Sequence, residues 1–178
     1  MIRYKVGDLL EAARNGDVHV IAHCCNCFIS MGSGIAPQIK KAYPYAFTAD
    51  QGTTRGDPKK LGTFSLGVPS KVELDATQYP LPDVFNLYGQ YGYNKRQQGG
   101  RDLDYNALYD ALQAMAYKLD DNGHYDGCTV GLPLIGAGLA NGDWLVIERM
   151  IEQTLVKAGF EVVVYVMSAE ALGLAILG

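Results

Sequence analysis

Residues able to do chemistry crowd into one stretch, "HCCNCFISMGSGIAP", running from His23 to Pro37. His23, Cys25 and Cys27 alternate along it and could share one face of a strand. Zinc would need four nitrogen or sulfur ligands around a tetrahedron. Such close spacing makes a poor cage, and the only cysteine outside this stretch, Cys128, falls in a different expected strand. A thiol nucleophile would need a lowered pKa and a positioned base; His23 is near in sequence, but sequence alone does not place it. The third chemistry is anion binding. Gly32, Ser33 and Gly34 follow an apolar run and lead into a helix, where glycines admit close approach and backbone amides face an anion. A second stretch, "PLIGAGLANGDW", repeats the plan with Gly136, Gly138 and then Asp143. Glycines at a strand–helix junction can serve only as a turn, but two such loops at neighbouring strand ends could clamp a diphosphate. The anion reading accounts for most of the pattern.

The elements that would position these loops alternate. "IRYKV", "VHVIAHC", "GTFSLGV", "DVFNLYG", "CTVGLPL" and "FEVVVYVM" read as strands, several too continuously apolar for a one-sided sheet. "GDLLEAARNG" reads as a turn and short helix, and "GSGIAPQIKKAY" as a helix with Pro37 in its first turn. Tyr105, Leu108, Leu112, Met115 and Leu119 recur at helical spacing, as do Trp144, Ile147, Ile151 and Leu155 ahead of Gly159. Residues 48–60 and 91–103 read as long polar loops that could cover a site. The expectation is a single α/β domain over residues 1–178: a three-layer α/β/α sandwich with a mixed, largely parallel central sheet.

Composition narrows the function. The chain has 178 residues, 48% of them hydrophobic, and a net charge of -4. No global basic surface exists to collect nucleic acid, and no constitutive nucleic-acid partner is expected. "MIRYKVGDLL" has no signal-peptide core, and no segment approaches the ~20 apolar residues of a membrane helix. Crowded cysteines do not form a disulfide framework, which points to a reducing, cytoplasmic setting. A monomer is expected, with no metal and no cofactor.

With these motifs in order, the chain resembles the macrodomains over nearly its whole length. Gly7, Asp8 and Leu9 look like the pair after the first strand that meets the adenine end of ADP-ribose in that family. "HCCN" stands where the family has "NAAN", which implies ligand contacts from Cys24 and Cys25 and a distal-ribose contact from Asn26. Met31, Gly32, Ser33, Gly34, Ile35 and Ala36 resemble the first phosphate loop. Asn86 and Gln90 resemble a strand-end "N-x-x-x-Q". Pro133, Ile135, Gly136, Ala137, Gly138 and Leu139 resemble the second loop. The resemblance implies binding of ADP-ribose or an ADP-ribosyl derivative. Within the family, His23 and Asp143 look most like the subgroup of ADP-ribose 1''-phosphate phosphatases from yeast and phage. That implies hydrolysis of the 1''-phosphate, with His23 meeting a substrate oxygen or leaving group and Asp143 orienting a water. Asp143 suits a helix N-cap equally well, and His23 could be a satisfied core histidine. A glycohydrolase-type cousin uses a lysine and a second-loop acid, where this chain has Ala140 and Asn141. Removal of ADP-ribose from protein or nucleic acid, or non-catalytic binding of an ADP-ribose or NAD-derived signal, are the alternatives.

Overall fold

The apolar runs do become buried strands. In the computed structural model, which describes residues 1–177, β1 (Ile2–Val6), β2 (Val20–Cys24), β3 (Phe64–Gly67), β4 (Asp83–Leu87), β5 (Thr129–Leu132) and β6 (Glu161–Val166) form one sheet. The strand order is β1-β6-β5-β2-β4-β3. Only β3 runs antiparallel, against β4; every other pairing is parallel. All of β5 and five of the six residues of β6 are buried, as a sheet covered on both faces requires.

Strand alternation sorts the two cores. Val20 and Ala22, Phe85 and Leu87, and Val162 and Val164 face α5 (Tyr105–Asp120) and α6 (Trp144–Ile151). Ile21, Val84, Val163 and Tyr165 face α1 (Leu9–Arg14), α2 (Ala36–Ala42) and α3 (Pro44–Gln51). The arrangement is the expected three-layer α/β/α sandwich. His23 and Asn86 share the parity of Ile21 and Val84, so their side chains point toward the α3 layer. Register completes the placement: His23 pairs with Asn86, and Asn86 with Ser65. Three polar residues thus form a row across β2, β4 and β3.

Three helices were not expected. Residues 48–60 read as a loop, yet Thr48–Gln51 complete α3, and Pro58–Lys60 form a short turn capped by the Asp57 side chain. Pro44 looks like a stop but occupies the first helical turn, where a missing N–H costs nothing. Gly67 lets this helix dock: a Cβ there would lie 2.7 Å from the Ala46 Cα. α4 (Lys71–Asp75) is started by a capping box between Ser70 and Glu73. α7 (Ala169–Leu177) follows β6 and packs beside α6, β1 and β6. Beyond Ile151, α6 widens into a π turn over Glu152–Val156, where the Thr154 hydroxyl donates to the Met150 carbonyl at 2.7 Å. No described helix is long and apolar enough to cross a membrane.

Candidate functional site

Parallel strands deliver their C-terminal ends to one rim, so the segments after β2, β4 and β5 meet there. Between them lies a cavity of about 710 Å³, inside the ~300–1,000 Å³ range of small-ligand sites. Cys24 at the end of β2 lines it, and the segment that follows adds Cys25, Asn26, Met31, Gly32, Ser33, Gly34, Ile35 and Ala36. Pro133, Ile135, Gly136, Gly138 and Leu139 line it from the segment after β5, and Gln90 from that after β4. The backbone N–H groups of Gly32, Ser33, Gly34, Gly138 and Leu139 donate to no acceptor among the described residues. Two runs of uncommitted amides in residues lining one cavity suit an anion.

Local chemistry shapes the first loop. The Asn26 Oδ1 accepts from the Phe28 N–H at 2.8 Å, and its Nδ2 donates to the Ser30 Oγ at 2.7 Å. Asn26 therefore folds the loop as well as lining the cavity. Gly34 holds φ +62 and Gly136 φ +70, a region that disfavours side chains.

Other expected residues do not reach the cavity. Asn86 is fully buried, with its amide spent on Ala46, Ser65 and His23. Gly7 donates to the Val166 carbonyl, Asp8 caps α1 through the Leu10 and Glu11 N–H groups, and Leu9 packs in the core. Ala137 is taken up by a turn onto Leu134. Asp143 is an exposed N-cap of α6, accepting from the Leu145 N–H at 2.9 Å. It lies outside the cavity lining, because the cap position turns its carboxylate to its own helix.

His23 does line the cavity, at 1% exposure, and is held by a directed chain. The Asn86 Nδ2 donates to the Ala46 carbonyl at 2.8 Å and to the Ser65 Oγ at 3.0 Å, which turns Oδ1 toward His23. The Nε2 of His23, at 2.7 Å, must then carry the proton and donate, leaving Nδ1 as the acceptor. Ser65 donates to the Tyr88 hydroxyl at 2.8 Å, and Tyr88 to the Asp50 Oδ1 at 2.6 Å. Each donor points toward Asp50. Burial lowers the His23 pKa, with the bond to Asn86 partly opposing, so the ring rests neutral near pH 7 and must take up a proton before it can give one.

Asp50 was not expected. It is 1% exposed, lines the cavity, and pairs at 3.6 Å with Lys60, itself 6% exposed. The Lys60 ammonium also donates to the Cys27 carbonyl at 3.3 Å and lies over the Tyr88 ring. Tyr93, Asn94, Arg96 and Asp102 line the cavity too, from the 91–103 loop expected to cover a site, in which the sequence singles out none of them. No lysine lines it among the described residues.

The thiols are unsuited to nucleophilic work. Burial pushes Cys24 up to about 12 and Cys25 well above its ordinary value. The Cys25 sulfur lies 3.4 and 3.6 Å from the two His23 ring nitrogens; being nearly equidistant, it sits off the line of the Nδ1 lone pair. Cys27 turns its Sγ to the Gln90 carbonyl. Among the described residues no three His, Cys, Asp or Glu side chains gather as a metal cluster.

Comparison with known proteins agrees with this geometry. Residues 22–151 match the Macro domain family. A 17.5 kDa protein from the tk-vs intergenic region of Enterobacteria phage T4 is 35% identical over 155 residues, covering 85% of this chain and 88% of that protein. An ADP-ribose 1''-phosphate phosphatase from Debaryomyces hansenii is 27% identical over 167 residues, covering 86% and 93%. The macrodomain of Thermus aquaticus DarG superposes with a TM-score of 0.68 at 21% identity, covering 93% and 98%, a likeness of fold.

Proposed function

This chain belongs to the macrodomain family, and from that premise we propose that it binds ADP-ribose in the cavity and hydrolyses ADP-ribose 1''-phosphate to ADP-ribose and phosphate. The two runs of uncommitted amides carry the reading: Gly32–Gly34 and Gly138–Leu139 would hold the diphosphate from both sides. Fixed amide dipoles let a protein of net charge -4 hold this anion without a lysine cluster.

For the reaction, His23 is the base. Its Nδ1 takes a proton from the water that attacks phosphorus, as the bond from phosphorus to the ribose oxygen breaks. The proton then passes to that oxygen, giving a hydroxyl and inorganic phosphate. While protonated, the ring is balanced through Asn86, Ser65 and Tyr88 by the Asp50 carboxylate, an orienting role of the kind an acid plays behind a catalytic histidine. Grip on the diphosphate and adenosine positions the reacting end.

Lysine attack on the distal ribose, as in the glycohydrolase-type cousins, finds no support. Lys60 is buried in its pair with Asp50, and Lys59, Lys71 and Lys95 are exposed outside the cavity lining. The decisive assay is phosphate release from ADP-ribose 1''-phosphate by wild type and His23→Ala. Turnover that vanishes in the variant, while ADP-ribose still binds, is the expected result. Binding without turnover in wild type would reduce the protein to a reader of ADP-ribose.

A further inference from the structure

Asp102 is 6% exposed and lines the cavity beside Gly136, Gly138 and Ala140. Its backbone N–H and that of Leu103 both donate to the Ala140 carbonyl, each at 3.1 Å, fixing it against the second glycine loop. The Oδ2 accepts from the Lys95 N–H at 2.9 Å. Its Oδ1 has no hydrogen-bond partner, the single such buried side-chain nitrogen or oxygen among the described residues. Nor does any cation pair with Asp102 among those residues. Buried carboxylates are normally paired or fully hydrogen-bonded, so this one is an acceptor with capacity to spare at the wall of a ligand cavity.

Resting on the ADP-ribose reading above, we propose that Asp102 recognises a hydroxyl group of the terminal ribose and so makes the site specific for ligands that extend beyond the diphosphate. A carboxylate only accepts hydrogen bonds; it repels phosphate oxygens and needs an O–H or N–H from the ligand. Beyond the diphosphate, the terminal ribose supplies the only such donors. Sheet order agrees. Asp102 belongs to the segment leaving β4, and β4 and β1 lie on opposite sides of β2 and β5, whose loops face the diphosphate. The ligand's direction is therefore part of the proposal, with adenosine toward β1 and the terminal ribose on the β4 side, and the comparison with ADP below tests it. The terminal torsion of an aspartate is soft, so a small turn offers Oδ1 to the cavity while Oδ2 keeps Lys95.

The test is calorimetric titration of wild type and Asp102→Asn with ADP-ribose and with ADP, beside thermal unfolding of both proteins. Wild type should bind ADP-ribose more tightly than ADP. Asp102→Asn, which presents an amide where an acceptor is needed, should weaken ADP-ribose on the order of tenfold or more and leave ADP unchanged. Its melting temperature should not fall, because the substitution removes a buried unpaired charge. Equal weakening of both ligands with a lowered melting temperature would make Asp102 a scaffold residue and overturn the proposal. Unaltered ADP-ribose affinity in the variant would overturn it as well. Failure of wild type to bind either ligand would instead reject the reading of the cavity, and this proposal with it.

Discussion

Lys60→Met tests the charge pair beneath the cavity. The substitution keeps an apolar stem and removes the ammonium that lies 3.6 Å from the Asp50 Oδ1 and 3.3 Å from the Cys27 carbonyl. Both partners are almost wholly buried, at 6% and 1% exposure, so water cannot take over. Breaking such a pair from one side costs about 3–5 kcal/mol, because an uncompensated charge remains. For a domain of this size each kcal/mol moves the melting temperature by about 2–4 °C. The expected fall is therefore roughly 6–20 °C. Asp50→Asn should cost a similar amount by stranding the ammonium. The double variant should return most of the loss, since neither charge is left alone. Thermal and urea unfolding of the four proteins would measure the cycle. Phosphate release should be lost in Asp50→Asn and not return in the double variant, since both lack the carboxylate that balances His23. A Lys60→Met protein within about 1 kcal/mol of wild type, or strictly additive losses, would refute this account of the pair.

Three further outcomes follow from the same geometry. Burial lowers the His23 pKa below the ordinary 6.5, so the unfolded chain takes up that proton first; stability should be full above about pH 6.5 and fall as pH drops below it, and parallel slopes for wild type and His23→Gln between about pH 6.5 and 5 would reject the assignment. A side chain at Gly138 meets open space, whereas Gly34 holds φ +62; Gly138→Val should melt like wild type and lose ADP-ribose in calorimetry, and Gly34→Val should be destabilised as well. Asp143→Ala removes an N-cap outside the cavity; it should cost about 1 kcal/mol in urea unfolding and leave phosphate release intact, while abolished turnover would restore the role its sequence position suggested.

Sequence reading reached the two loops because glycine spacing after apolar runs is a local signal, and α5 because its apolar residues repeat at one period. Asp50 and Lys60 were beyond it. They lie in a polar stretch, and their burial is created by α3 docking onto β3, which depends on the missing side chain of Gly67. Asn86 was legible in principle: it shares the parity of Val84, which fixes it inside the sandwich, but its place at a strand end near Gln90 drew it toward the ligand. Asp143 had two readings that do not exclude each other, and the structure shows the helix cap. Asp102 lies in a loop expected near the site, but nothing in its sequence singles it out, since only the fold carries it to Ala140.

The central claim is that this cavity is an ADP-ribose site. Calorimetric titration of the wild-type chain with ADP-ribose tests it most directly. Saturable binding of one ADP-ribose per chain is the predicted result; absence of binding up to millimolar ligand would contradict the account.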